Sequence, residues 1–104
     1  MKFFLIEIEY VAPIEKIDEV TPAHREFLQV QYDIGVLLLS GPKVPRIGGM
    51  IIAKSSSQEE LLDMMKDDPF LKQNCVKYNY KEFVPAKYQV FLKDWLSHSF
   101  EKTI

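Results

Sequence analysis

His24 and Asp68 are the two side chains of this sequence best suited to moving a proton. Imidazole titrates near neutral pH, so it can take up or release a proton at little cost. A carboxylate beside it orients the ring and decides which nitrogen faces a ligand. The two residues are far apart in sequence, so only the fold can join them. Each also has a plainer reading. His24 stands among Val20, Phe27 and Leu28, where a buried histidine bonded to a backbone carbonyl would fit equally. Asp68 precedes Pro69, and this pairing signals a helix start, with Asp as N-cap and Pro as first helical residue. Capping and catalysis are compatible, because a carboxylate has two oxygens. Asp67 is the poorer partner, since the capping geometry favours its neighbour.

The other candidates are binding residues. Ser40, Gly41 and Pro42 could line a cleft at a strand end, with Gly41 letting backbone approach a ligand closely. They also read as an ordinary strand terminator. Phe70 follows the Asp68-Pro69 corner and is a candidate ligand contact. Arg46 reads as a solvated loop charge rather than an anion contact. Tyr78 and Tyr80 read as sheet packing, Met64 and Met65 as core, and His98 as an inert residue of the tail. Cys75 has no basic neighbour except Lys77, which argues against a nucleophile. As the single cysteine it allows no internal disulfide, and there is no Cys/His cluster for zinc. No metal and no organic cofactor is implied.

The elements that must position these residues follow from periodicity. Residues 2–11 alternate, with Phe4, Ile6, Ile8 and Tyr10 on one face and a second face that turns polar at Glu7 and Glu9. Ala12-Pro13 ends this strand, and 14–20 reads as a first turn or loop. Thr21-Pro22 then starts the main helix, with Thr as N-cap. Val20, His24, Phe27, Leu28 and Gln31 form its apolar stripe. Gly35 suits a left-handed helix end. Residues 36–40 are apolar throughout until Ser40, as in a central strand covered on both faces. Residues 50–54 form the next strand, close enough for an antiparallel hairpin. Ser57 with Glu60 makes a capping box for a helix over 57–66. A short helix restarts at Pro69. Val76, Tyr78 and Tyr80 begin a strand whose phase shift at Phe83-Val84 suggests a bulge, and Pro85 ends it. In the tail, Tyr88, Phe91, Leu92, Trp95 and Leu96 have helical spacing and predict a helix with a buried aromatic stripe. Residues 100–104 are expected to fray.

The predicted order is therefore strand, helix, strand, strand, helix, strand and an added helix. This is an α+β, ferredoxin-like βαββαβ pattern with a four-stranded antiparallel sheet and two helices on one face. Residues 1–86 make the domain and 87–104 a helical extension of it. A length of 104 residues is one domain, and 47% hydrophobic content supports a packed core without staples. The net charge of −2 is spread without a basic stripe, which excludes the usual nucleic-acid footprint. The opening Met1-Lys2-Phe3-Phe4-Leu5-Ile6 is cut by Glu7 and Glu9 too early for a signal peptide, and no apolar run reaches membrane-spanning length. A cytoplasmic protein without membrane or nucleic-acid partners is expected. The uncovered sheet face calls for a second copy of the chain, so a homodimer is expected too.

The residues just described resemble those of the YciI-like (YCII-related) family over residues 1 to about 86. The likeness rests on Pro22-Ala23-His24 with Phe27-Leu28, on the run from Gly35 through Ser40-Gly41-Pro42, on the helix over 57–65, and on Asp68-Pro69-Phe70. The resemblance implies a ferredoxin-like fold of the dimeric α+β barrel type. It also implies a His-Asp pair in a cleft, carried here by His24 and Asp68, acting on a small cyclic or aromatic compound. One branch of the family removes chloride from a hydroxylated aromatic ring, so lyase, isomerase or dehydrochlorinase chemistry is implied. Here the connection after Pro42 is short and the tail after Pro85 is longer than the family core. The alternative reading is a non-catalytic, ligand-binding or accessory dimeric module on the same fold.

Overall fold

A computed structural model describes residues 1–98. Strand β1 (Lys2–Tyr10) leads into helix α1 (Ile14–Asp33). Strands β2 (Leu37–Pro42) and β3 (Gly48–Ser55) follow, then helices α2 (Gln58–Met65) and α3 (Pro69–Lys72) and strand β4 (Val76–Phe83). A 3-10 turn (Val90–Leu92) and helix α4 (Lys93–Ser97) form the tail. The strands make one antiparallel sheet in the order β2-β3-β1-β4. This is the ferredoxin-like α+β arrangement that the alternation of periods predicts. Residues 100–104, expected to fray, lie outside the described residues.

The core follows the expected strand face. Phe4, Ile6 and Ile8 are buried, and they stand opposite Ala53, Ile51 and Gly49 on β3. Ile17, Val20, His24, Leu28 and Gln31 bring the inner stripe of α1 onto this face, while α2 contributes Leu61 and Met65. Gly48 is a positional requirement, since a Cβ there would stand 1.8 Å from the Ile8 carbonyl oxygen. Helices α1 and α3 close with left-handed caps. Gly35 has φ 89°, its amide donates to Tyr32 O, and the Val36 amide reaches back to Gln31 O. Asn74, with φ 56°, ends α3 in the same way. Ser57 caps α2 by accepting from the Glu60 amide at 3.1 Å.

Four expectations are corrected. First, α1 starts at Ile14 after Pro13, so residues 14–20 are helical and Pro22 lies inside the helix. Pro22 and Asp18, whose carbonyl loses its amide donor to the proline, both lie on the exposed side, where solvent can take the donor's place. Ile17 and Val20 extend the buried stripe by another turn, and that burial outweighs the local start signal at Thr21. The Thr21 hydroxyl donates to Ile17 O at 2.6 Å and caps nothing. Second, β2 is an edge strand, with Leu39 57% exposed, so an unbroken apolar run did not mean two covered faces. Third, β4 pairs with β1 in even register through Phe83, and the irregularity falls instead between Leu37 and Leu39.

The fourth correction is in the tail. Its helical turns are short, and Tyr88 and Phe91 are 48% and 78% exposed, so the stripe is not buried as a whole. Only its Trp95 end docks. The indole Nε1 donates to Gly35 O at 3.0 Å, and the ring packs on Phe3 at 5.9 Å between centroids. Lys54, 2% exposed, lies 4.6 Å from the Trp95 ring centroid and donates to Trp95 O at 2.5 Å and His98 O at 2.6 Å. Its ammonium thus serves the C-terminal carbonyls of α4, as basic side chains do at helix ends. Burial pulls the Lys54 pKa below its ordinary value. Because Trp95 is half-buried at a rim, Trp95→Ala is expected to cost about 1–3 kcal/mol in denaturant titration, below the cost of emptying a closed core site. The native emission maximum should lie blue of that of the unfolded chain. Coincident maxima would mean that the tail is undocked in solution.

Candidate functional site

The site is built where α1, α3 and the sheet meet. Asp68 is fully buried at the corner between α2 and α3, where Pro69 turns the chain. Its carboxylate caps α3 by accepting from the Phe70 amide at 2.9 Å. The same carboxylate receives His24 Nδ1, at 2.9 Å from each oxygen. The Tyr78 hydroxyl, on the core face of β4, donates to Asp68 Oδ2. A buried carboxylate is costly unless it is satisfied, and here three donors satisfy it. Burial first, and the Asp68 charge second, push the Tyr78 pKa well above its ordinary value. Tyr78 therefore stays a donor throughout the physiological range. Burial does the same to Tyr80, with the Asp68 charge again adding to it.

These contacts fix the histidine. His24 is 8% exposed, and its ring stacks on Phe70 at 4.0 Å with 17° between planes. A carboxylate only accepts, so Nδ1 carries the hydrogen, and in the neutral ring Nε2 presents its lone pair. Among the described residues Nε2 has no protein partner. One helix cap thus holds both members of the pair. Phe70 lies two residues beyond Asp68, and its amide and its ring serve the carboxylate and the imidazole respectively.

In front of His24 lies a cavity of about 230 Å³. Ser40, Gly41, Pro42 and Phe70 line it together with His24, so the structure brings the sequence candidates to one place. Asp68 stands behind the imidazole and does not line the cavity. Ser40 is held by a 2.6 Å hydrogen bond with the Tyr32 hydroxyl of α1. A Cβ on Gly41 would meet no atom within 4 Å, so the space beside it is open to a ligand. Ile8, Leu28 and Ile51 give apolar wall, and Tyr10 adds a ring.

Sequence reasoning missed two kinds of residue. Tyr78 reads as sheet packing, yet it is a direct partner of Asp68. The available signal was its place on the inward face of a strand that starts just after the Asp68 corner. Arg46 reads as a solvated loop charge, yet it lines the cavity with Arg25 of α1. Arg46 also makes an ion pair with Asp18 at 2.6 Å and lies 5.9 Å from the Tyr10 ring centroid. The hydrogen bond that Arg46 donates to the Asp18 carboxylate raises its pKa. No sequence signal told Arg46 from the other loop charges. Cys75 is buried, and His98 is exposed with its Nδ1 2.7 Å from Asp94 O, and neither lines the cavity. Among the described residues no three His, Cys, Asp or Glu side chains group as a metal would require, and no helix is long and apolar enough to cross a membrane.

Comparison with known proteins agrees with this architecture. Curated proteins offer no match to the chain. Among solved structures it is similar to 5-chloro-2-hydroxyhydroquinone dehydrochlorinase from Burkholderia phenoliruptrix AC1100, determined in complex with 2,5-dihydroxybenzoquinone. The TM-score is 0.69 at 17% identity, over 79% of this chain and 93% of that one, a likeness of fold. The model of the YCII-related domain matches residues 1–84, a span that holds both strand-helix halves of the sheet, His24 and Asp68. The chain belongs to the YCII-related domain family.

Proposed function

We propose that this protein is a small-molecule enzyme in which His24, oriented by Asp68, performs acid/base chemistry on a small cyclic or aromatic compound. The observation that carries this is the imidazole held through Nδ1 by a buried carboxylate, with a cavity on its other side. Nε2 accepts a proton from an acidic O–H or C–H of the bound molecule. The carboxylate stabilises the imidazolium that results. Returned to a different carbon, the proton gives isomerisation. Where a leaving group departs with its bonding electrons, loss of the proton gives elimination, as in a dehydrochlorination. Ser40, Gly41, Pro42 and Phe70 hold the compound, its ring against Phe70 and the apolar wall. The dehydrochlorinase of the same fold supports this class of substrate.

The assembly we propose is a cytoplasmic homodimer, closed through the sheet face opposite α1 and α2, with residues 87–104, whose Trp95 packs on Phe3 at one end of that face, as part of the same folding unit. Phe3, Leu5 and Ile52 give that face an apolar band, and Glu7, paired with Lys81 at 2.6 Å and Lys43 at 3.4 Å, gives it a charged one. Light scattering at micromolar concentration is expected to report twice the chain mass. A stable monomer would remove the dimer from the proposal.

The functional test is a panel of hydroxylated and chlorinated hydroquinones and cyclic lactones, followed by ultraviolet absorbance and halide release. At least one compound is expected to turn over in the wild-type protein and not in His24→Asn. Saturable binding without turnover anywhere in the panel would favour a ligand-binding module instead.

A further inference from the structure

The charges around the cavity are one-sided. Arg25, Arg46 and His24 line it, and among the described residues no Asp or Glu does. Asp68, the nearest buried carboxylate, is screened behind the imidazole and spent on three donors. A cleft lined by one sign of charge with apolar walls concentrates ligands of the other sign. The two arginines enter from different elements. Arg25 follows His24 on α1 and, among the described residues, has no ion-pair partner. Arg46 lies on the connection between β2 and β3 and meets the cavity beside Tyr10.

We propose that Arg46 and Arg25 read a negative charge on the ligand, so that the substrate is a small planar organic anion, a carboxylate or an ionised enol or phenol. This rests on the proposed ligand-binding role of the cavity and narrows its substrate class. The Asp18 carboxylate competes for the Arg46 guanidinium from outside the cavity lining. That pair is exposed, with side chains 42% and 59% accessible, and pairs of this kind are weak and easily exchanged. A guanidinium has five donors in a rigid fork, so Arg46 keeps free N–H groups even while Asp18 is bound. The apolar body of the anion then lies toward Phe70 and Ile51, and its acidic end toward the mouth. This arrangement carries a reactive atom to the inner end, where Nε2 of His24 waits.

The probes are benzoate and benzamide, which share shape and differ in charge, titrated against the whole chain by calorimetry or ligand-observed NMR. Benzoate is expected to bind the wild type at least about tenfold more tightly, the size of one good charge-assisted contact. Arg46→Met and Arg25→Met, both at exposed positions where folding is not at stake, should each remove much of that preference and change benzamide binding less than about twofold. Asp18→Asn should tighten benzoate, because the competing carboxylate is gone. Equal affinity for the two probes in the wild type, or equal loss of both in the arginine variants, would overturn the inference. His24→Asn separates it from the catalytic proposal. Turnover lost with the benzoate preference intact upholds both, while turnover unaffected with the preference intact removes only the catalytic role.

Discussion

His24→Asn is expected to lower turnover by about 10²–10⁴-fold, the usual worth of one positioned general acid or base. The substitution is chosen for its geometry. The asparagine amide nitrogen stands close to the place of Nδ1, so it can still donate to Asp68. What disappears is Nε2, the only ring nitrogen that faces the cavity. The Phe70 stack at 4.0 Å is lost as well, which should cost stability only about 1 kcal/mol. A folded protein with an intact circular dichroism spectrum, ligand binding within a few-fold and turnover nearly abolished is therefore the expected result. If the variant turns over at the wild-type rate, proton transfer does not pass through His24, and the pair is a buried structural contact.

Asp68→Ala should be the most destabilising single substitution in the site, by about 3–5 kcal/mol in denaturant titration. The side chain is fully buried, and its removal strands the His24 Nδ1–H, the Phe70 amide and the Tyr78 hydroxyl together. Each buried donor left alone costs roughly 1–3 kcal/mol, although the losses are not additive around one shared acceptor. Tyr78→Phe removes one donor and leaves the others in place, so its effect should be about 1 kcal/mol. Tyr78 also carries a pH signature. Its folded pKa is raised above the unfolded value near 10, so the folded state prefers the protonated phenol. The stability from this is fully present below the unfolded pKa and is lost as pH rises above it, and Tyr78→Phe should flatten that alkaline loss. An Asp68→Ala protein as stable as the wild type would show that solvent replaces the carboxylate without cost, and that the corner is not a buried network.

Much of this architecture was legible in local sequence. Alternation in residues 2–11 names the inner face of β1, because a strand half-buried on a core must repeat every second residue. The Asp68-Pro69 and Ser57-Glu60 signals mark helix starts, because the first helical amides need an acceptor and a proline needs none. Gly35 marks a helix end, since it accepts a positive φ at little strain. His24, Ser40, Gly41, Pro42 and Phe70 could be singled out from residue type and from resemblance to the YCII-related domain.

What only the tertiary structure decided is whatever depends on neighbours distant in sequence. Pro22 looks like a helix start, but burial of Ile17 and Val20 against the sheet carries α1 through it. An apolar run such as 36–40 cannot say whether a strand is central or at an edge, because strand order is set by the crossovers of the whole sheet. The tail has helical spacing, yet only Trp95 finds a seat, beside Phe3, Lys54 and Gly35. The two arginines at the cavity were equally hidden, and the inward face of β4 marks Tyr78 without showing that it meets Asp68. A tyrosine or an arginine has the same local preferences on a solvated surface as in a site, and long-range packing alone determines which of the two it occupies.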